Sequence, residues 1–167
     1  MIRTAPIAEP FGAADTAVTS WDVALQQIEQ ADVFWLATVR PDSRPHVAPV
    51  LAIWLADGFY FCAGTTTHKG RNLAHQADCV LTTAGALLHL VIEGHAHIVH
   101  DTATLQQVAA KYLSRYGWEV TIQEGAFYAE GAPSAGPPPY TVYAITPTVA
   151  FGFGSDGTCS PTRWRFV

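Results

Sequence analysis

The sequence predicts a mainly β protein of the α+β class, with about six antiparallel strands and a few short helices. Runs rich in β-branched and aromatic residues recur along the chain and are separated by Pro, Gly, Asp and Ser. Consecutive runs are joined mostly by turns, which favours antiparallel pairing. Helical patterns are inserted between strands instead of alternating with them. A small barrel is the simplest closure of such a sheet.

The N-terminal part of the chain has two regions of different character. Residues 1–18 contain Pro, Gly and Ala without periodicity, and we expect them to form a flexible arm. Ser20 suits the N-cap of a following helix. The residues of that helix expected to face inward are Trp21, Ala24, Leu25 and Ile28. The barrel domain is therefore expected to span residues 19–167.

The later elements follow from strand and helix patterns. Residues 32–40 and 46–55 are strand-like runs joined by PDSRP, so they are predicted to form a hairpin. The further predicted strands are residues 58–63, 79–84, 87–100 and 140–154. One helix is predicted over residues 67–76, and another begins at Asp101, in which the residues at helical spacing are Leu105, Val108, Ala109, Tyr112 and Leu113. Residues 117–139 lack either pattern and are expected to form a surface loop.

Composition limits the partners and the compartment. The chain has 167 residues and a formal net charge of −5, which argues against nonspecific binding to nucleic acid or to an anionic membrane. No apolar stretch approaches the ~20 residues of a membrane span. Cys62, Cys79 and Cys159 show no pairing pattern or ligand-type spacing, so reduced thiols are expected. These features predict a cytoplasmic protein.

The sequence TTTHKGRNLAHQ has the makeup of an anion-binding helix start. The first turn of a helix carries unpaired N–H groups and the positive end of the helix dipole. The hydroxyls of Thr66 and Thr67 and the charges of Lys69 and Arg71 would strengthen a phosphate site there. Gly70 is costly inside a helix unless something approaches the backbone closely. The alternative is a threonine-capped helix with a solvated basic face.

The sequence LLHLVIEGHAHIVH predicts a strand with one polar face. Because side chains alternate with period two, one face would carry His89, Glu93, His95 and His97. Successive positions on that face lie about 7 Å apart, which is wide for three ligands of one ion, so no metal site is expected. This face is expected to meet solvent or another chain. The core face would carry Leu90, Ile92, Ala96 and Ile98.

The C-terminal sequence TRWRF places large side chains where chain ends usually fray. Large aromatic residues are seldom left in water, so the tail is expected to be docked. Two interpretations remain open. Trp164 packs on its own sheet, or Arg163 and Trp164 cover a ligand, including one held by a second subunit.

Several short motifs occur in one order along the chain. They are Leu36-Ala37-Thr38, Asp42-Ser43-Arg44-Pro45, Asp57-Gly58, Tyr60-Phe61, Lys69-Gly70-Arg71-Asn72-Leu73 and Glu93-Gly94-His95-Ala96. This pattern resembles the pyridoxamine 5′-phosphate oxidase-like family of split β-barrels that bind FMN or coenzyme F420, in particular its flavin- and deazaflavin-dependent oxidoreductases. The resemblance is strongest over residues 20–116 and looser over the last 30 residues.

The resemblance implies a split β-barrel homodimer with two cofactor sites at the dimer interface, each built from both chains. The cofactor phosphate would be bound by Lys69 with Thr66, Thr67, His68 and Asn72. The cofactor ring would lie along Val47, Ala48, Pro49, Val50, Phe61, Cys62 and Ala63, with Arg163 and Trp164 as further contacts. Pro49, which has no N–H, is expected to interrupt the strand ladder and leave backbone groups free to face the ligand.

One position departs from the family pattern. Where the FMN oxidases of the family place a phosphate-binding arginine before the lysine, this chain has His68. An imidazole is a weaker phosphate partner than a guanidinium. This departure argues against oxidation of a pyridoxine-type vitamer as the activity.

The resemblance implies an oxidoreductase in which hydride passes between F420 or FMN and a small electron-poor substrate. Such a cofactor carries the chemistry, so no catalytic acid or base is expected from the barrel. One alternative is a non-catalytic carrier of a flavin or of haem, for which the histidine-rich strand would supply imidazole ligands. The other alternative is a barrel without a cofactor.

Overall fold

The computed structural model describes residues 5–12, 17–56, 58–130, 136–155 and 157–167. The helices are α1 (Trp21–Gln30), α2 (His68–His75) and α3 (Thr102–Tyr116). The strands are β1 (Ile7–Pro10), β2 (Phe34–Val39), β3 (Pro45–Val50), β4 (Ala52–Leu55), β5 (Gly58–Ala63), β6 (Asp78–Ala84), β7 (Leu88–Ile98), β8 (Thr121–Gln123), β9 (Ala126–Tyr128), β10 (Thr141–Gly154) and β11 (Thr162–Arg165). No helix in the described part of the chain is long and apolar enough to cross a membrane.

The main sheet is antiparallel and wraps around the core. Its strands lie in the order β1, β11, β10, β7, β6, β2, β3, and β5 pairs with both β10 and β4. Only Leu51 separates β3, which pairs with β2, from β4, which pairs with β5. The strands β2, β3 with β4, β5, β10, β7 and β6 therefore follow one another around the core, as the six positions of a split barrel.

The bend between β3 and β4 is held by two tyrosines of α3. The hydroxyl of Tyr112 donates to the carbonyl oxygen of Leu51 at 2.7 Å, and the hydroxyl of Tyr116 donates to that of Ala52 at 2.7 Å. A bend in a ladder leaves carbonyl groups unpaired, and buried carbonyls need a partner. Helix α3 supplies these partners and so fixes the point at which the sheet turns.

Two apolar clusters fill the molecule. The barrel cluster includes Phe34, Phe59, Phe61 and Trp164, which are fully buried. The second cluster lies under α3 and includes Leu105, Val108, Tyr112, Phe127 and Tyr140. Helix α1 belongs to the first cluster, because the ring of Trp21 lies 5.7 Å from that of Trp54 and 5.4 Å from that of Trp164.

The predicted mainly β fold is confirmed, and several details differ from prediction. Residues 7–10 form β1 and pair with β11, so the expected arm over residues 1–18 is not irregular throughout. Long-range pairing with a C-terminal strand leaves no local signal in the sequence. Within the expected loop at 117–139, β8 and β9 form a hairpin. Asp57, part of an expected turn with Gly58, lies outside the described residues.

Two residues expected in the core are exposed. Ile98, at the end of β7, is 43% exposed, and Leu113 of α3 is 50% exposed. Alternation is otherwise as predicted in β7, because Leu90, Ile92 and Ala96 are buried. Strand and helix periods predict the buried face well in the middle of an element. Here they fail at the last residue of β7 and in the last turn of α3.

Candidate functional site

Helix α2 begins with a cap formed by its own chain. The Thr67 hydroxyl accepts a hydrogen bond from the Gly70 N–H at 3.2 Å and donates to the carbonyl oxygen of Gly64 at 2.6 Å. The predicted threonine cap is therefore present, and the Thr67 hydroxyl already has two partners. Thr66 lies in the preceding turn and is exposed.

The close approach predicted at Gly70 comes from the protein itself. A Cβ atom at Gly70 would lie 2.5 Å from the carbonyl oxygen of Gly64 and 3.0 Å from the Cα of Thr65. Such distances are too short for any side chain. Glycine is therefore required so that α2 can turn tightly against the end of β5, and it gives no evidence for a ligand.

Basic side chains converge on the start of α2. The imidazole rings of His46 in β3 and His68 in α2 lie 5.4 Å apart, and an Arg71 guanidinium nitrogen lies 3.3 Å from Nδ1 of His68. Burial, together with the charges of Arg40, His68 and Lys69, lowers the pKa of His46 from its usual range. The last three groups are thus close enough to His46 to act on it electrostatically.

Two of these basic groups have buried nitrogens without a partner. Among the described residues, neither Nε of Arg40 nor Nδ1 of His46 has a hydrogen-bond partner, although both atoms are buried. A buried donor without a partner costs free energy, on the order of 1–3 kcal/mol. A bound ligand or an ordered water that forms a hydrogen bond with each nitrogen would account for their burial.

A cleft of about 350 Å³ lies between the β2–β3 turn and α2. Its lining residues are Arg40, Pro41, Asp42, Arg44, His68, Arg71 and Asn72. Its one lining carboxylate, that of Asp42, accepts a hydrogen bond from Nε of Arg44 at 2.9 Å. The remaining charged groups in this lining are basic, so the cleft suits an anion.

Lys69 is half-buried beside the basic cluster. Burial lowers the pKa of the Lys69 ammonium, because a cation is less stable away from water. The thiol of Cys62 is near enough to interact with Lys69 and with Tyr112. Burial raises the pKa of Cys62 to about 12, so this thiol stays protonated at neutral pH and is not a nucleophile.

Asn72 lies on the buried face of α2. Its Nδ2 donates to the hydroxyl of Thr38 in β2 at 2.9 Å, and the two residues are each only 2% exposed. One amide group thus joins α2 to the barrel wall, and the same residue lines the cleft.

The residues expected along the cofactor ring divide between two faces of β3. Val47 is 56% exposed and Pro49 is exposed, whereas Val50 is buried in the core and Ala48 is half-buried. The expectation that Pro49 interrupts the ladder is wrong. Pairing between β2 and β3 is continuous, with Trp35 opposite Pro49. A proline is tolerated here because β3 is at the edge of the sheet.

The three expected residues of β5 are close to α2 in sequence but mostly enclosed. Phe61 is fully buried, and its ring stacks on that of Tyr143 at 5.2 Å. Ala63 is also buried, and Cys62 is half-buried. The Phe61 side chain therefore belongs to the core.

The C-terminal strand β11 lies outside the cleft of its own chain. It pairs with β1 and β10, and the cleft lining contains no β11 residue among those described. Trp164 is fully buried, and its Nε1 donates to the carbonyl oxygen of Thr19 at 3.1 Å. The structure supports the interpretation that Trp164 packs on its own sheet, because its ring is enclosed by residues of the same chain. Nε of Arg163 donates to Glu9 at 3.1 Å.

The polar face of β7 is exposed as predicted. Its residues His89, Glu93, His95 and His97 all face outward. Nδ1 of His95 contacts the carboxylate of Asp78 in β6. Among the described residues, no group of three or more His, Cys, Asp or Glu side chains has the arrangement of a metal site.

Sequence reasoning missed Arg40 and His46. Arg40 follows β2, and His46 pairs with Thr38 in the register of the hairpin. That register places His46 on the face covered by α2, next to Thr38 and Asn72. The signal in the sequence was the pair of basic residues flanking the PDSRP turn, but its meaning depends on where α2 packs.

Comparison with known proteins supports the fold. The General Stress Protein 26 from Bacillus anthracis str. Sterne is 17% identical over 77% of this chain and 88% of that chain, with a TM-score of 0.56. A heme binding protein from Mycobacterium smegmatis is 17% identical over 87% of this chain and 59% of that chain, with a TM-score of 0.65. An F420 reductase is 22% identical over 75% of this chain and 93% of that chain, with a TM-score of 0.54.

These structures share the fold at low sequence identity. No curated protein matches the sequence of this chain. The family model described as pyridoxamine 5′-phosphate oxidase matches residues 21–153, which is more than half of the chain. The motif order, the split barrel and this match together lead to one conclusion: the chain belongs to the pyridoxamine 5′-phosphate oxidase family.

Proposed function

We propose that this protein is an oxidoreductase that binds F420 or FMN and passes hydride between that cofactor and a small electron-poor substrate. The observation that carries the proposal is the basic cleft at the start of α2. Its lining includes Arg40, His68 and Arg71, and the His46 ring lies 5.4 Å from that of His68, within electrostatic reach of Lys69. Among the described residues, Nε of Arg40 and Nδ1 of His46 are buried without a hydrogen-bond partner. Both cofactors carry a phosphate, and such a cleft is suited to hold one.

The residues of α2 fit the phosphate in complementary ways. The first N–H groups of the helix have no intrahelical acceptor and point toward an anion placed at the helix start. Lys69 supplies a charge, and the exposed hydroxyl of Thr66 can donate a hydrogen bond. Because Thr67 is occupied by the cap, its hydroxyl contributes by fixing the helix start.

Strand β3 supplies an edge for the rest of the cofactor. Its outer edge is not paired with another strand of the described sheet, so backbone groups of residues 47–50 remain available to a ligand. A bound flavin-type ring supplies the hydride chemistry, while the protein orients the ring and excludes water. Cys62 is protonated and half-buried, so we assign it packing and no covalent role.

The same proposal includes a homodimer. Residues directly opposite one another in neighbouring strands share a face of the sheet. Trp35 lies opposite Thr82, Thr82 opposite Val91 and Val91 opposite Phe151, so these four side chains are on one face. Val47, which lies opposite Ala37, is on the same face two residues further along the strands. Trp35 is 47% exposed and Val47 is 56% exposed. Glu93 lies in the same cross-strand row as Val47, so the face is mixed, but large apolar side chains as exposed as Trp35 and Val47 are typical of a surface buried by association. A second copy could also bring Arg163 to the cofactor.

A second candidate is a non-catalytic carrier of a flavin or of haem. The exposed imidazoles of His89, His95 and His97 favour haem, since imidazole is a common axial ligand. The fold neighbour from Mycobacterium smegmatis is described as a heme binding protein. The three free cysteines agree with a reducing compartment, and we propose that the protein is cytoplasmic.

A spectroscopic experiment separates these candidates. The absorbance spectrum of freshly purified protein is recorded, and the protein is then titrated with FMN, F420 and haemin. The oxidoreductase proposal expects saturable binding of FMN or F420 at one site per chain. Binding of FMN or F420 that is unchanged by Lys69→Met contradicts the assignment of the α2 cleft. Binding of haemin alone supports the carrier.

A further inference from the structure

The β2–β3 hairpin presents two basic side chains to α2. Arg40 follows the last residue of β2, and His46 is the second residue of β3. Nε of Arg40 and Nδ1 of His46 are buried, and neither has a hydrogen-bond partner in the described part of the chain. These two nitrogens belong to different residues of one hairpin, and both residues lie near α2.

The charges around His46 come from two elements. Arg40 of the hairpin and His68 and Lys69 of α2 act on His46 directly. Arg44, Asp42 and Arg71 line the adjoining cleft together with Arg40 and His68. Asp42 is the one acidic group in this set, and it is held by Arg44, whose NH2 nitrogen lies 2.6 Å from the carboxylate. The set therefore has an excess of positive charge without a matching carboxylate.

We propose that Arg40 and His46 form the second half of the anion site begun by Lys69, and that His46 must be protonated for full affinity. The site then takes up a proton when a dianion binds. Only the identity of the anion, as the phosphate of a flavin-type cofactor, rests on the proposed function. The use of Arg40 and His46 by an anion does not.

The direction of the pH dependence follows from the surroundings of His46. Without an anion, burial and the neighbouring cations lower the pKa of His46 below its usual 6.5. A bound dianion stabilises the imidazolium and raises this pKa. Affinity is therefore greatest below the pKa of the free protein and falls as pH rises toward the pKa of the complex. By linkage, the fall approaches about tenfold per pH unit between the two values.

Sulfate is the suitable probe, because its charge stays at −2 between about pH 5 and about pH 8, where histidine titrates. Calorimetric titrations with sulfate are run across this range for the unaltered protein and for three variants. His46→Gln is expected to remove most of the pH dependence and to weaken binding at the acid end. Arg40→Gln is expected to weaken binding roughly tenfold or more at every pH, by loss of a charged hydrogen bond. His100→Gln, at an exposed position, is the matched control and should behave as the unaltered protein.

A second measurement needs no variant of the site. The ring protons of His46 are followed by NMR as pH is changed, with and without sulfate. The proposal requires sulfate to raise the pKa of His46. An unchanged His46 pKa overturns it, as does a wild-type sulfate pH dependence in His46→Gln.

The same samples separate this inference from the proposed function. If Arg40→Gln and His46→Gln leave sulfate binding unchanged while FMN or F420 still binds, the inference is wrong and the cofactor-binding proposal stands. If sulfate binds with the expected pH dependence but neither cofactor binds, the anion site is supported and the cofactor assignment is wrong.

Discussion

Asn72 of α2 donates a hydrogen bond to the hydroxyl of Thr38 in β2, with 2.9 Å between Nδ2 and Oγ1, and both residues are buried. Thr38 pairs with His46 across the hairpin. The bond therefore joins α2 to the end of β2, two residues before Arg40 and beside the strand that carries His46. Through this contact Asn72 would have a positioning role in the proposed anion site.

Replacing Asn72 by Ala should lower the free energy of unfolding by about 1–3 kcal/mol, because the buried Thr38 hydroxyl loses the amide that donates to it and keeps only its long 3.5 Å bond to the carbonyl oxygen of His46. Urea unfolding followed by circular dichroism measures this change. The control is Thr38→Val, alone and combined with Asn72→Ala. If the losses in the double variant simply add, the two side chains are not coupled and the positioning role is wrong.

The region of α2 was largely predictable, and the site around it was only partly so. Residues 67–76 were predicted as a helix from local composition, and the structure has His68–His75 with the expected Thr67 cap. Capping is a local interaction, so a short sequence contains its signal. The 5.4 Å contact between the rings of His46 and His68 depends on strand register and on helix packing. A short stretch of sequence encodes neither of these.

Lys69→Met should weaken binding of FMN or F420 by about 1.5–3 kcal/mol, the range for hydrogen bonds to charged groups. Fluorescence titration measures the affinity. Met retains most of the apolar stem, so packing is preserved. The matched control is Lys111→Met, the other lysine of the chain, which forms a surface ion pair with Glu29. Equal losses in the two variants would point to a general charge effect instead of a site.

The same Lys69→Met substitution should not destabilise the protein without cofactor. Burial lowers the pKa of Lys69 below its usual 10.5, so the cation opposes folding at neutral pH. The stability of the unaltered protein should therefore rise as pH increases through the folded pKa toward 10.5, and Lys69→Met should lack this rise. Chemical unfolding at neutral and alkaline pH tests this. A large loss of stability at neutral pH would show that the ammonium forms a favourable contact.

Trp35→Glu should convert the proposed dimer into a monomer. Trp35 is 47% exposed on the outer face of the sheet, and a carboxylate there would be buried without a partner in the dimer. Light scattering at micromolar concentration gives the mass. Leu113→Glu on α3, which removes an equally exposed apolar side chain elsewhere, is the control. A dimer that survives Trp35→Glu would place the interface on another surface.

The tail shows why long-range pairing limits sequence prediction. The large aromatic residues of TRWRF predict a docked tail, but they do not predict the surface on which it docks. Strand β11 pairs with β10 and with β1, which lies at the opposite end of the chain. Gly152 makes this fit possible, because a Cβ there would lie 2.5 Å from the Trp164 ring. Gly152 and Trp164 are twelve residues apart in sequence, and local patterns do not relate them.

Removal of residues 162–167 should therefore impair folding, because it deletes β11 and the buried Trp164. Trp164→Ala should lower the free energy of unfolding by about 3–5 kcal/mol, the range for a large buried aromatic side chain. Its ring is fully buried beside Trp21, and its indole N–H is bonded to Thr19. Thermal and urea unfolding measure the loss.

Two further variants make this test specific to the Trp164 ring. Trp164→Phe keeps much of the apolar volume and should lose less than Trp164→Ala. Gly152→Ala, which pushes a methyl group toward the same ring, should destabilise the protein although it removes nothing. Wild-type stability in Gly152→Ala would mean that the ring moves aside at little cost. The tail would then be loosely docked, and its proposed reach toward a partner's cofactor would regain support.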